Sequence, residues 1–90
     1  MYELFYTTKF RKDLKRYKQD FDLIGVVLKI LQAQGVNGIP AKMRPHQLKG
    51  TFKGCRECHI KPDLLIIWLQ SEAPKKIILV RIGSHSDLFK

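Results

Sequence analysis

Residues 55–59 read Cys-Arg-Glu-Cys-His. The spacing C-x-x-C-H is that of covalent haem attachment, and two thiols beside an imidazole also suit zinc. Neither reading gains support from the rest of the chain. Haem attachment occurs in exported proteins, and the opening MYELFYTTKF has no basic segment followed by an apolar one. Met1 and Met43 are the only thioethers that could serve as an axial ligand, and neither has a fitting context. Zinc would need a second ligand pair, and there is no third cysteine. On a strand, Cys55 and Cys58 would point to opposite faces with Cα atoms about 10 Å apart. A disulfide reaches about 7 Å. We therefore expect no metal and no cofactor.

The same alternation sets Glu57, His59 and Lys61 on one face and Arg56, Cys58 and Ile60 on the other, where Cys58 and Ile60 suit a core. A solvated strand face is the plain explanation of the first set. The three histidines suggest another. His46, His59 and His85 each sit at the edge of an expected strand or turn in the second half, and Asp63 lies in the turn after His59. In an antiparallel meander such places converge on one end of one face. Imidazoles with a carboxylate and flanking cations suit cleavage of an RNA phosphodiester. A base takes the 2′-OH proton, an acid protonates the leaving 5′ oxygen, and positive charge offsets the charge growing on the phosphate. Histidine suits the first two tasks because its ordinary pKa lies near neutrality. Arg81 and Arg56 are candidates for the third, although Arg81, in an apolar run, also suits a structural ion pair.

The elements that must position these residues can be read in order. YELFY (2–6) is a short aromatic strand, and Thr7 or Thr8 can cap a following helix. In KFRKDLKRYKQ (9–19), Phe10, Leu14 and Tyr17 fall on one helical face. Lys9, Arg11, Lys12, Lys15, Arg16 and Lys18 fill the remainder. A second helix begins near Asp20 or Asp22, with Leu23, Val26, Val27, Ile30 and Leu31 on its apolar stripe, widened by Ile24 and Leu28. QGVNGIP ends it, with Gly35 at the C′ position. After a loop rich in Gly and Pro, HQLKG enters a strand and CRECHIK is a strand. LLIIWLQ reads as a central strand covered on both faces, and IILVRI as its apolar neighbour. The order is β-α-α-β-β-β, an α+β fold with a helical hairpin on a mainly antiparallel sheet.

Ninety residues make a single domain, 1–90, with a modest core. Seventeen Lys and Arg against eight Asp and Glu give a net charge of +9, so the expected partners are polyanions. No apolar run approaches the roughly 20 residues of a membrane span, so no membrane partner is expected. Two cysteines without an export signal suggest a reducing, cytoplasmic setting.

Two segments, HQLKGTFKGCRECHIKPDLLIIW and VRIGSHSDLF, resemble the YafQ-type toxins of the RelE superfamily of bacterial toxin–antitoxin systems. Those toxins carry H-x-L-x-G, then G-x-R-[DE]-x-H-x-x-P-D, then R-x-G-[ST]-H-x-x-L-F. The resemblance covers nearly all of the second half. It implies a RelE-like fold and a ribosome-dependent endoribonuclease that cuts mRNA in the A site of the 70S ribosome. It also implies a cognate antitoxin that blocks the cleft, and contact with operator DNA only through the antitoxin complex. By position the family's catalytic set falls on His46, His59, Asp63, His85 and Phe89, with Glu57 at a commonly acidic place beside it. His85 would be the general acid. His46, His59 and Asp63 would share base action and orientation, and Phe89 would stack on a base or shape the pocket. Lys9, Arg11, Lys12, Lys15 and Arg16 would grip ribosomal RNA phosphates. Leu64 departs from the Trp that can follow the Asp, and Cys55 stands where an aromatic is common.

A basic module that binds RNA or the ribosome without cutting is the alternative. It would account for the charge but gives no use for three histidines and an aspartate at matching places. Direct DNA readout finds no support, because no recognition-helix signature is present.

Overall fold

The computed structural model describes residues 1–89 and shows a five-stranded sheet in the order β1-β5-β4-β3-β2. The strands are β1 (Glu3–Tyr6), β2 (His46–Gln47), β3 (Arg56–Lys61), β4 (Leu64–Glu72) and β5 (Lys75–Gly83). β1 runs parallel to β5, and the other pairings are antiparallel. Helices α1 (Thr8–Leu14) and α2 (Phe21–Gln34) connect β1 to the remainder, and the single turn α3 (His85–Leu88) follows β5. The α+β class and the helical hairpin on a mainly antiparallel sheet are observed, with four strands after the helices where the expected order has three. α3 is an addition to them, and Ser84 caps it by accepting a hydrogen bond from the Asp87 amide at 3.2 Å. No helix among the described residues is long and apolar enough to cross a membrane.

β4 is central and covered on both faces, as its unbroken apolar run implies. Leu64, Ile66 and Trp68 join Cys58, Phe10, Val27 and Leu31 in the layer under the helices. Leu65 and Ile67 face the other way, where Leu88, Phe52, Val80 and Phe89 cover them. That second, thinner layer is the floor of the histidine face.

The helices differ from expectation in two details. The apolar stripe of α2 centres on Ile24, Val27 and Leu31, while Leu23 and Val26 are largely exposed. The basic helix stops at Leu14 and continues as 3₁₀ turns to Asp20, with Tyr17 outside helical geometry at φ −123° and ψ 36°. Thr7 starts α1, accepting from the Phe10 amide at 3.1 Å and donating to the Leu79 carbonyl at 2.8 Å. Gly35 ends α2 at φ 63°, and a Cβ there would lie 2.8 Å from Gln70 Nε2 and 2.9 Å from the Tyr2 ring. Both the backbone conformation and the close approach require glycine.

β1 pairs only with Lys76–Leu79 of β5, so the rest of that edge lacks a strand partner. An unpaired, partly buried amide needs another acceptor. Asp13 of α1 supplies it, accepting from the Ile82 amide at 3.1 Å and from Arg81 Nε at 2.7 Å and Nη2 at 3.1 Å. Two residues beyond Ile82, the Tyr17 hydroxyl accepts from the Ser84 amide at 3.2 Å. α1 and the turns after it thus fix the end of β5 immediately before His85.

Candidate active site

β2 exists through two residue pairs with β3, and one of them sets His46 opposite Glu57. His46 Nε2 lies 3.1 Å from Glu57 Oε2. Its Nδ1 lies 2.8 Å from the Arg44 carbonyl oxygen. A carbonyl oxygen only accepts, so Nδ1 is the donor in that contact, and Nε2 is the nitrogen that faces the carboxylate. Glu57 is 4% exposed, and its second oxygen, Oε1, is buried with no hydrogen-bond partner among the described residues. The expected solvated face is therefore incorrect for Glu57: it faces Ile67 across the strand pair, beneath the second apolar layer.

His59 stands two residues along β3 on the same face, about 7 Å from Glu57, and pairs with Leu65 of β4. Lys61 does not continue that face. The register shifts between His59 and Lys61, Lys61 pairs with Leu64, and its ammonium donates to Asp20 Oδ1 at 3.0 Å. The bulge turns it toward the helices. Cys58 lies in the helix-side core and Cys55 packs on the opposite layer, so the two thiols lie on opposite faces. Burial pushes the Cys58 thiol up to about 12, with the Glu57 charge adding to it, and also raises the half-buried Cys55.

Asp63, in the turn between β3 and β4, reaches across to β5. Its Oδ1 accepts from the His85 amide at 3.1 Å. The His85 ring is exposed and lies 4.9 Å from the Phe89 ring, which in turn meets Phe52 edge-on at 5.7 Å. Beyond Phe89 a groove of about 500 Å³ is lined by Lys9, Thr51, Phe52, Arg81 and Asp87. The sequence-expected residues thus fall into joined pairs. Glu57 holds His46, Asp63 holds the start of α3, and His85 stacks on Phe89. His59 lies between these pairs, and its ring and that of His85 make no hydrogen bond among the described residues.

The two arginines expected to offset phosphate charge behave differently. Arg56 pairs with Trp68 on the helix side, and its charge acts on Tyr2 and Glu72. The structure does not bring it to the histidine face, as strand alternation requires. Arg81 lines the groove beside Phe89, but two of its five donors hold Asp13, whose hydrogen bonds raise its pKa further. Lys9, Arg11, Lys12, Lys15 and Arg16 are all exposed. Of these, Lys9 lines the groove, Arg11 lies over the Tyr6 ring, and Arg16 stands 3.7 Å from Asp87 of α3.

Sequence reasoning passed over Asp13, Arg44 and Phe52. The only acid in α1, beside its three bases Lys9, Arg11 and Lys12, was a signal for the first. Arg44 gave none, because its role rests on a backbone conformation, φ 55° and ψ 52°, inside a loop. Among the described residues no three His, Cys, Asp or Glu side chains converge as a metal-ligand set.

Comparison with known proteins adds an independent line. Residues 2–90 match the model of the family described as "Bacterial toxin of type II toxin-antitoxin system, YafQ". The mRNA interferase toxin YafQ of Escherichia coli K12 is 28% identical over 87 residues, covering 93% of this chain and 91% of that protein. The crystal structure of the E. coli DinJ-YafQ toxin-antitoxin complex superposes with a TM-score of 0.86 at 26% identity, covering 99% of this chain and 98% of that one. A metal-bound toxin from Helicobacter pylori superposes at 0.83 with 37% identity, covering 99% and 100%.

Proposed function

The chain belongs to the YafQ family of bacterial toxins of type II toxin–antitoxin systems and is an mRNA interferase, an endoribonuclease; we propose that it cleaves by proton transfer between two imidazoles, His59 and His85. The observation that carries this is the hydrogen bond from the His85 amide to Asp63. It ties the start of α3, where His85 lies, to the turn following His59, which supports their acting together. His59 takes the 2′-OH proton, O2′ attacks phosphorus, and the bond to the 5′ oxygen breaks as His85 protonates it. The products are a 2′,3′-cyclic phosphate and a 5′ hydroxyl. His46, with both ring nitrogens engaged by the Arg44 carbonyl and Glu57, is a positioning residue that holds β2 against the catalytic face. Phe89 stacks against His85 and shapes the groove in which a base neighbouring the cut would lie.

The setting of the reaction is part of the same proposal. Residues 1–90 act as one toxin domain in the cytoplasm, on mRNA in the ribosomal A site, without a metal ion. The exposed bases of α1 and the turns after it hold ribosomal RNA phosphates. A cognate antitoxin covers the histidine face, and operator DNA is met only through that complex. The E. coli relative crystallised with DinJ supports an antitoxin partner. The test is paired induction of wild type and His85→Ala with mapping of mRNA 5′ ends on ribosomes. In-frame cuts by the wild type, lost in a folded His85→Ala protein, are the expected result. Equal cutting by both removes His85 from the chemistry, and ribosome binding without cutting by either leaves only a binding module.

A further inference from the structure

On the His59 side of the site lies a second groove, of about 370 Å³, to which no role has yet been given. Lys42, Arg44, His59 and Lys61 line it beside the apolar Met43, Ile60 and Pro62, and no acidic residue is among the lining residues. Lys61 is already matched by Asp20 at 3.0 Å. The remaining charge comes from Lys42 and Arg44, both exposed. Such a groove takes an anion.

Arg44 is the one non-glycine residue of the described chain at positive φ. Glycine would adopt that conformation without penalty, so an arginine there points to a use for its side chain. Its carbonyl oxygen accepts from His46 Nδ1 at 2.8 Å, and the same residue lines the groove that His59 walls. One residue thus links the orientation of His46 to a cationic pocket opening on His59. An acidic segment of an antitoxin covering the histidine face is also an anion, but an imidazole that transfers protons in cleavage faces the substrate first. The phosphates of a substrate strand must pass there.

We propose that this groove is a subsite for the phosphodiester adjoining the scissile one, and that Arg44 grips it. The inference rests on His59 acting in the cleavage. Its test uses the full chain and a fluorescein-labelled 2′-O-methyl RNA hexamer, which lacks the nucleophile and stays intact. Affinity is measured by polarisation over a range of KCl. Arg44→Gly keeps the left-handed backbone and the carbonyl that holds His46, so it removes the guanidinium alone. We expect Arg44→Gly to weaken binding about 10-fold and the salt slope to fall by about 0.7. Arg44→Lys should recover most of both. An unchanged His46 Nδ1–H resonance in Arg44→Gly separates this loss from a disturbed His46. If that variant folds poorly, Arg44→Gln is measured in its place. Wild-type affinity and slope in the folded variants overturn the proposal. So does a variant that binds the RNA normally but loses affinity for labelled polyglutamate, which assigns the groove to an acidic protein. Failure of the nuclease reading shows separately, as a wild type that binds the hexamer but never cuts unmodified mRNA.

Discussion

Glu57 sets a stability test whose sign is unusual for a buried charged residue. Its Oε2 meets His46 at 3.1 Å, while Oε1 is buried without a partner among the described residues. A buried unpaired oxygen costs about 1–3 kcal/mol. The pair it belongs to involves an imidazole that is 48% exposed, so it returns no more than about 1 kcal/mol. Glu57→Met keeps the chain length, joins the apolar layer of Leu65 and Ile67, and leaves His46 free to bond water. The balance is a gain of about 0–3 kcal/mol, and each kcal/mol raises Tm by about 4–8 °C in a domain of this size. Urea unfolding followed by the fluorescence of the fully buried Trp68 reads the change, with an unchanged m-value as the check on two-state behaviour. Cleavage should fall at the same time, because His46 loses its anchor. A loss of more than about 1 kcal/mol at constant m would refute the reasoning and give Oε1 a stabilising partner.

Three further outcomes follow from other contacts. Asp13→Ala should lose about 2–3 kcal/mol in the same urea assay, since it strands both Arg81 and the Ile82 amide. Arg81→Met, which strands only the carboxylate of a partly exposed residue, should lose less. Between the ordinary thiol range near 9 and the value of about 12 for Cys58, the unfolded chain has lost a proton that the native state keeps. Stability therefore falls as pH rises through that window, and Cys58→Ala should show a shallower fall between pH 9 and 11. Chelation by EDTA should leave in vitro cleavage unchanged once ribosomes are supplied with fixed free magnesium. A loss restored by a transition metal would instead align this chain with its metal-bound relative.

Much of the scaffold was legible because it depends on local rules. The uninterrupted LLIIWLQ run specified a strand covered on both faces, and Thr7-Thr8 specified a helix start, of which Thr7 is the cap. Cys55 and Cys58 separated to opposite faces as period-two alternation requires. The histidine face was legible only in outline. Sequence placed His46, His59 and His85 at strand ends, but what joins them is non-local: the β2–β3 register, the reach of Asp63 across a turn, and the anchoring of β5 by Asp13 and Tyr17. A one-residue bulge after His59 was invisible, and it removed Lys61 from the face. Arg81 read equally well as a phosphate contact or an ion pair, and Asp13 lies 68 positions away in sequence. The left-handed conformation of Arg44 leaves no mark in a sequence, so the groove it lines appeared only in three dimensions.

The most direct test of the central claim, that His85 protonates the leaving oxygen, is chemical rescue. Ribosome-bound mRNA is prepared with sulfur replacing the 5′ bridging oxygen at the mapped cleavage site. A thiolate leaves without an acid, whereas removal of a general acid from an ordinary phosphodiester typically slows cleavage by about 10²–10⁴-fold. His85→Ala should be slow on the oxygen substrate and near wild type on the sulfur one, while His59→Ala stays slow on both. A His85→Ala protein equally slow on both substrates would contradict the assignment.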